Sequence, residues 1–182
     1  MLRLLDIVLS AFGLFITAPF LLVLIIFGFF DTGSPFFVQE RLGRNQKPFR
    51  LIKLRTMKVG TASVASHHAS QSSITSYGKL LRRTKLDELP QLWNVLVGEM
   101  SLVGPRPGLE NQAELTLERH ARGVFDVRPG ITGLSQVNEV DMSTPVRLAE
   151  MDAKMIETLC LRDYFKYLLQ TVSGSGQGDR VR

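Results

Sequence analysis

The chain has 182 residues, 45% of them hydrophobic, and a formal net charge of +5 at pH 7. This length suits one domain whose core needs no disulfide or structural metal. The single cysteine, Cys160, excludes an intramolecular disulfide framework and a cysteine-based zinc knuckle, and the positive charge favours anionic partners such as phosphorylated small molecules, nucleic acid or acidic lipid.

The first element in chain order is an apolar segment at residues 7–30. Its 24 residues carry no charged side chain and exceed the about 20 that a helix needs to cross the hydrocarbon core of a membrane. A cleaved signal peptide fits poorly, because the segment is too long and no small-residue cleavage site precedes Asp31. We therefore predict a retained membrane segment.

Two features of this segment bear on whether it spans the bilayer or re-enters it. Pro19 cannot donate to the carbonyl of Phe15, which predicts a bend, and Thr17 is available to satisfy a freed backbone group. By the positive-inside rule, the cations that follow place the carboxyl end in the cytoplasm: Arg41, Arg44, Lys47, Arg50, Lys53, Arg55 and Lys58. A spanning helix would then put Arg3 outside, whereas a re-entrant helix keeps both ends inside.

A β-hairpin is predicted next, from two runs rich in aromatic and branched residues, 36–39 and 49–57, which flank the turn sequence RLGRNQKP. Strand alternation places Lys53 and Arg55 on one face with Leu51. Two adjacent cations suit a phosphate ligand, and a solvated strand face is the alternative.

The remaining patterns are weaker. Residues 60–76 are predicted to form a flexible loop, in which the adjacent His67 and His68 lack the spacing of a helical metal pair. The other predictions are helices at 111–122 and 148–159, a tight turn at Pro129-Gly130, an amphipathic helix at 161–172 that packs in the core or on the bilayer surface, and a flexible tail at 173–182.

The stretch TKLDELPQLWN, residues 84–94, contains adjacent acids, Asp87 and Glu88. A capping box with Thr84 as the N-cap would make Pro90 the sixth helical residue and remove a helix hydrogen bond. We therefore expect the N-cap between residues 87 and 89, with both acids at the helix entrance. The helix body is predicted to bury a stripe of Leu89, Leu92, Trp93, Leu96 and Val97.

Such a pair of acids suits phosphoryl chemistry, although it is also an ordinary way to begin a helix. An ionised carboxylate is able to attack phosphorus and form an acyl phosphate. A neighbouring carboxylate is able to hold Mg²⁺, which neutralises phosphate charge. The helix entrance and the preceding Arg82 and Arg83 also favour an anion.

Three blocks in order carry a family resemblance: FVQERLGRNQKPFRLIKLRTM, LRRTKLDELPQLWNVLVGEMSLVGPRP and VRPGITGLSQVN. The chain resembles the bacterial sugar transferase family, the small monotopic phosphoglycosyl transferases, over nearly its whole length. The resemblance implies an α+β, mainly helical monotopic membrane protein. Residues 1–30 would form a re-entrant membrane helix broken at Pro19. Residues 31–172 would form a cytoplasmic catalytic domain with a small β-hairpin and amphipathic interfacial helices, followed by the tail at 173–182.

The resemblance also implies an activity. Family members transfer a phospho-sugar from a UDP-sugar to polyprenyl (undecaprenyl) phosphate, release UMP and require Mg²⁺, at the cytoplasmic face of the bacterial inner membrane, in the first membrane step of a glycoconjugate pathway. The implied partners are therefore the UDP-sugar, the polyprenyl phosphate and the lipid bilayer. Nucleic acid is not expected, because no aromatic-basic platform appears. A membrane-bound Mg²⁺-dependent phosphohydrolase and a membrane-tethered interaction module are the alternatives.

The resemblance assigns roles residue by residue. Asp87 matches the nucleophile that forms a phosphoglycosyl-aspartate, and Glu88 matches the metal-binding acid. The matched substrate-binding positions are Lys53, Arg55, Arg82, Pro105, Arg106, Pro107, Arg128 and Asp152.

The sequence departs from the family pattern at two places. Glu139 stands where most relatives have glycine, and residues 71–73 are Gln-Ser-Ser where many have Asp-Pro-Arg. These changes leave the acids intact and leave the identity of the sugar open.

Overall fold

The computed structural model describes residues 2–61 and 71–174. His67, His68 and the tail from residue 175 onward lie outside these residues. The described part is mainly helical, with a small antiparallel sheet and a long apolar helix at its amino end, which confirms the predicted α+β class.

The apolar segment forms one helix, α1, from Leu2 to Thr32. Within residues 2–61 and 71–174 it is the one helix long and apolar enough to cross a membrane. Pro19 lies inside α1 and does not divide it into two elements. The Thr17 hydroxyl donates to the carbonyl of Gly13 at 2.7 Å, a bond that tends to bend helices, rather than to the carbonyl that Pro19 leaves free. The re-entrant path through the bilayer stays a prediction.

The amino end of α1 is held to the domain by a buried carboxylate. Asp6, only 3% exposed, accepts hydrogen bonds from the Ser101 hydroxyl, from the Leu102 amide at 3.0 Å and from the Tyr164 hydroxyl at 2.8 Å. Burial and the bond to Asp6 raise the pKa of the Tyr164 hydroxyl, which keeps it a donor. Arg3 adds bonds to the carbonyls of Leu96 and Met100.

The carboxyl half of α1 is packed on the same domain. Leu24 is buried against Leu54 and Leu81, and the Tyr77 hydroxyl donates to the Leu24 carbonyl at 2.7 Å. At about 1.5 Å per residue, Asp6 and Leu24 lie about 27 Å apart, close to the thickness of a bilayer core. A straight spanning helix would carry one of these two contacts to the far side of the membrane, so the packing favours a helix whose two ends share one side.

The chain after α1 forms the predicted hairpin. Strand β1 (Phe36–Leu42) pairs antiparallel with β2 (Pro48–Leu54), in a register that runs from Phe36 opposite Leu54 to Leu42 opposite Pro48. This confirms the hairpin, although β1 is longer than predicted and β2 ends before Arg55. The elements that follow are α2 (Ser76–Thr84), α3 (Gln91–Val97), β3 (Ser101–Val103), α4 (Ala113–Ala121), β4 (Gly130–Thr132), α5 (Leu134–Val137), α6 (Pro145–Thr158) and α7 (Leu161–Val172).

The tight turn predicted at Pro129-Gly130 is wrong. Gly130 instead begins β4, which pairs parallel with β3: Ser101 lies opposite Gly130 and Val103 opposite Thr132. A Cβ atom on Gly130 would lie 2.0 Å from the amide nitrogen of Gly104. The glycine therefore permits close approach of two chain segments rather than a turn.

Helix α7 occupies the predicted range, but its apolar residues divide between two sides. Tyr164 and Tyr167 are buried in the core with Met100 and Val95. Four other apolar side chains point outward along the helix: Leu161, Phe165, Leu169 and Val172. Val172 is 87% exposed. Packing in the core is thus confirmed for one side of α7. An outward apolar row of this kind suits a bilayer surface, and that alternative stays a prediction.

The buried carboxylate of α1 gives a first prediction. Asp6→Ala should lower the free energy of unfolding by about 2 to 4 kcal/mol, because it leaves buried donors on Ser101, Leu102 and Tyr164 without their acceptor. Thermal unfolding in detergent micelles measures the loss. Asp31→Ala is the matched control, since Asp31 lies in the same helix and is exposed. Equal stability of the two variants would contradict the assigned role of Asp6.

Candidate active site

The two acids lie in a turn between two helices. Helix α2 ends at Thr84, Lys85 takes the left-handed conformation (φ 58°, ψ 16°), and residues 86–88 form a short 3₁₀ turn. The Thr84 hydroxyl donates back to the Leu80 carbonyl inside α2, so Thr84 is not a helix N-cap. Pro90 is the N-cap of α3, one residue later than predicted. The acids therefore precede α3, as the position of Pro90 required.

The turn brings Glu88 to the Pro105–Pro107 segment. Arg106 donates from Nη2 to Glu88 Oε1 at 3.0 Å, and both side chains are largely shielded from solvent. Asp87 is buried, with 6% of its surface exposed. Burial lowers the pKa of the Lys85 ammonium, while Glu88 opposes this shift and Arg106 adds to it. Two carboxylates and two cations thus share one small region.

The segment that carries Arg106 is fixed on both sides by its backbone. The Pro105 carbonyl accepts from the Gly130 amide at 2.8 Å, and the Pro107 carbonyl accepts from Arg41 Nη1 at 3.1 Å. The next carbonyl, of Gly108, accepts from the amide of Leu42 at 2.9 Å. Strands β4 and β1 therefore hold this segment between them, with Arg106 directed toward the acids.

A small cleft shares Arg106 with the contact to Glu88, and its described lining includes three cations and no carboxylate. Its lining residues are Arg41, Leu51, Lys53, Gln91, Arg106, Pro107, Gly130 and Ile131. Three of these side chains are positive, so the cleft suits an anionic ligand. Sequence reasoning missed Arg41; the available signal was strand alternation, which puts it on the same face as Lys53.

Lys53 and Arg55 share a face, as predicted, but they make different contacts. Lys53 Nζ and Arg55 Cζ lie 5.7 and 5.6 Å from the centre of the Phe37 ring. Lys53 lines the cleft. Arg55 donates to the carbonyls of Ser34 at 2.8 Å and Phe36 at 3.0 Å, so it secures the connection between α1 and β1.

Two other arginines that were predicted to contact the substrate form hydrogen bonds to neighbouring parts of the fold. Arg82 Nε donates to the Thr56 hydroxyl at 2.8 Å, which ties α2 to the end of the hairpin. Arg128 Nε donates to the Gly98 carbonyl at 2.8 Å, at the carboxyl end of α3. Neither side chain is among those that line the cleft.

Asp152 does not face the cleft. It is fully buried, pairs with Arg119 at 2.6 Å and accepts from the Ser135 hydroxyl at 2.9 Å. Burial raises the pKa of this carboxyl, and the pairing with Arg119 opposes that shift. Neighbouring side chains enclose Asp152 in this structure, and its predicted contact with a substrate stays a prediction.

Helix α3 buries a different face from the one predicted. Gln91, Asn94 and Val95 are buried, whereas Trp93 and Val97 are 55% and 53% exposed. Periodicity identified the apolar side chains of α3 but not whether each one faces the protein core or the outside of the domain. Outward apolar residues are expected beside a membrane helix, and a Cβ atom added at Gly13 of α1 would lie 3.3 Å from Leu92.

Asn94 is a further residue that sequence reasoning missed. Its amide donates to the Arg50 carbonyl at 2.8 Å and accepts from the Ile52 amide at 3.1 Å, and it also donates to Glu99 at 2.6 Å. The side chain thus continues the hydrogen bonding of β2 at its outer edge. It sets the distance between the strand that carries Lys53 and the helix that follows the acids.

The magnesium site predicted at Glu88 stays a prediction, and the carboxylate donors present are of the type that Mg²⁺ binds. Among residues 2–61 and 71–174, no group of three or more His, Cys, Asp and Glu side chains is placed to hold an ion. Mg²⁺ is commonly bound by one or two carboxylates and completed by substrate phosphates and water. Asp87 and Glu88 provide such carboxylates beside a cleft suited to anions.

The Asn94 contacts give a second prediction. Asn94→Leu preserves side-chain size and removes the bonds to β2, so it should lower the free energy of unfolding by about 2 to 4 kcal/mol. Hydrogen exchange at the Ile52 amide should become faster. Asn138→Leu is the control, because Asn138 is exposed and its side chain donates to the Leu134 carbonyl within the same turn. Unchanged exchange at Ile52 would contradict the assignment.

Comparison with known proteins gives consistent matches. A family model described as bacterial sugar transferase matches residues 1–177. The chain is 38% identical over 171 residues to the "Uncharacterized sugar transferase EpsL" of Bacillus subtilis, a match that covers 93% of this chain and 84% of that protein.

Two other relatives have more specific names. The chain is 36% identical over 181 residues to the "UDP-glucose:undecaprenyl-phosphate glucose-1-phosphate transferase" of Caulobacter vibrioides, covering 93% of this chain and 67% of that protein. It is 40% identical over 151 residues to the "UDP-galactose-lipid carrier transferase" of Erwinia amylovora. That match covers 70% of this chain and 31% of the relative, so the chain spans about a third of that longer protein.

Proposed function

This chain belongs to the bacterial sugar transferase family, and we propose that it transfers a phospho-sugar from a UDP-sugar to a polyprenyl phosphate. The names of the Caulobacter and Erwinia relatives support this choice of donor and acceptor class. The observation that carries the proposal is the turn with Asp87 and Glu88, which lies beside a cleft lined by Lys53, Arg41 and Arg106.

The first step uses Asp87 as the nucleophile. The cations of the cleft bind the diphosphate of the UDP-sugar and reduce the repulsion between that anion and the attacking carboxylate. An oxygen of Asp87 forms a bond to the sugar-bearing phosphorus, while the bond from this phosphorus to the bridging oxygen breaks. UMP departs with the electron pair, and a phosphoglycosyl-aspartate remains.

The second step returns the enzyme to its initial state. A phosphate oxygen of the polyprenyl phosphate attacks the same phosphorus, and the bond to Asp87 breaks. The products are a polyprenyl diphosphate sugar and a free Asp87 carboxylate. The two substrates thus use one nucleophile in turn, which is a ping-pong sequence.

Glu88, with Asp87 beside it, would hold Mg²⁺ together with the substrate phosphates. When bound, this ion supplies further neutralisation of phosphate charge. Arg106 would exchange its contact with Glu88 for one with the diphosphate, because both are anions within reach of the same guanidinium.

The membrane arrangement suits a lipid acceptor. The phosphate of a polyprenyl phosphate lies at the bilayer surface while its tail remains in the hydrocarbon. The outward apolar side chains of α1 and α7 suit contact with lipid, and α1 is packed on the domain near both its ends. We propose that the catalytic domain lies at the cytoplasmic face of the inner membrane, with α1 re-entrant; the cations that follow α1 support the choice of face, and the packing of α1 supports re-entry.

The covalent step gives a third prediction. Incubation of the enzyme with a UDP-sugar and Mg²⁺, without lipid acceptor, should add the mass of one phospho-sugar to the peptide that contains Asp87. Intact-protein and peptide mass spectrometry measure the adduct, and UMP release should be equimolar with it. Asp87→Asn should give no adduct, because a neutral amide does not attack phosphorus.

The control for this experiment is Asp126→Asn, since Asp126 is an exposed aspartate of the same chain. This variant should form the adduct like the wild type. Full turnover in Asp87→Asn would refute the covalent mechanism. Release of free phospho-sugar in place of a glycolipid, with the acceptor present, would instead indicate a hydrolase.

The orientation of α1 gives a fourth prediction. Cys160 is the single cysteine and is exposed on the domain, so its thiol reports the side on which the domain lies. A second protein variant carries Cys160→Ser and one cysteine added at the amino terminus. In intact cells with a permeabilised outer membrane, a membrane-impermeant maleimide should label neither Cys160 of the wild type nor the amino-terminal cysteine of the variant. After lysis it should label each of them. Labelling of the amino-terminal thiol alone in intact cells would show that α1 spans the membrane.

A further inference from the structure

We propose that Arg119 and Asp152 form a buried positioning pair that fixes Arg106 for its contact with the nucleotide-sugar diphosphate. The inference rests on the proposed function for the identity of the ligand. Neither residue contacts the cleft directly. Their effect on the reaction passes through the backbone of Arg106.

The pair is enclosed and doubly hydrogen-bonded. Arg119 in α4 is 2% exposed and Asp152 in α6 is fully buried. Arg119 donates to Asp152 Oδ2 from Nε at 3.0 Å and from Nη2 at 2.6 Å. This geometry uses two of the three nitrogens of the planar guanidinium and fixes the direction of the third, Nη1.

The third guanidinium nitrogen of Arg119, Nη1, bonds to a residue of the candidate active site. Arg119 Nη1 donates to the carbonyl of Arg106 at 2.8 Å. Arg106 in turn donates from its own guanidinium to Glu88 at 3.0 Å. One continuous set of bonds therefore runs from the buried carboxylate of Asp152, through Arg119 and Arg106, to Glu88 beside the nucleophile.

Helix α5 supports the same segment from a second direction. Ser135 donates to Asp152 Oδ1 at 2.9 Å, and Gln136 donates to the Gly104 carbonyl at 3.2 Å. Helices α4 and α5 thus bond directly to residues 104–106, while α6 acts through the bonds of Asp152 to Arg119 and Ser135. The segment that carries Arg106 is held by side chains as well as by the strand contacts of its backbone.

Stability alone gives little reason for a buried ion pair here. Replacing such a pair by apolar residues of similar volume is often neutral or stabilising, because the two charges no longer have to be desolvated. What an apolar pair cannot provide is the directed bond to the Arg106 carbonyl. The charged pair is therefore best explained by the position that it imposes on Arg106.

The test separates position from stability by replacing both partners together. The double variant Arg119→Met/Asp152→Leu should stay folded and raise the KM for the UDP-sugar by about tenfold or more, because Arg106 binds the diphosphate before and during the reaction. The kcat should change much less. Hydrogen exchange of the amides at residues 104–108, measured without substrate, should become faster.

The matched control is Arg122→Met/Glu118→Leu, which removes a more exposed ion pair between Glu118 of α4 and Arg122 just after this helix, together with the contact of Arg122 to Glu150. It should retain the wild-type KM and the wild-type exchange. A folded Arg119→Met/Asp152→Leu variant with wild-type KM and wild-type exchange at 104–108 would overturn the proposal.

A second variant covers the case in which the double variant does not fold. Arg119→Lys keeps the charge beside Asp152 but lacks the planar fork, so the KM should rise. In an Arg106→Gln background the same change should add no further increase, because the contact that it positions is already lost. Independent, multiplicative effects would overturn the proposal. If the wild type releases no UMP from any UDP-sugar, the proposed function fails, while the exchange measurement still decides whether Arg119 positions this segment.

Discussion

The fold depends on a carboxylate buried at the beginning of an apolar helix. Asp6 accepts bonds from β3 and from α7, and burial of such a charge is tolerated only because several donors surround it. Since β3 continues directly into residues 104–106, the position of α1 and the position of Arg106 are linked through one short strand. Helix α1 is therefore fixed to the domain through a few buried residues, although most of its apolar side chains are exposed.

Local patterns predicted the parts of the fold that local forces determine. The hairpin followed from two branched, aromatic runs around a turn, and α7 followed from its helical periodicity. The parallel pairing of β3 with β4 was not predictable, because each strand has three residues and the two are far apart in sequence. Its cause is the close approach of Gly104 and Gly130, which is a tertiary contact.

In the candidate site, too, local sequence patterns predicted where residues lie but not which tertiary contacts they make. Pro90 alone placed Asp87 and Glu88 before the helix, so their location was predictable from backbone chemistry. The roles of the surrounding charges were not, since an arginine that binds phosphate and one that binds a carbonyl look alike in a sequence. Arg41 and Arg119 gained importance only when folding brought them to the carbonyls of residues 107 and 106.

For the proposed reaction, the outward apolar side chains of α1 and α7 would have a kinetic consequence. An enzyme confined to a bilayer meets its lipid acceptor by lateral diffusion in two dimensions, while the nucleotide sugar arrives from the aqueous phase in three. The two halves of a ping-pong reaction would then respond to different concentrations. Diluting the polyprenyl phosphate with other lipids would slow only the second half, and diluting the aqueous nucleotide sugar would slow only the first.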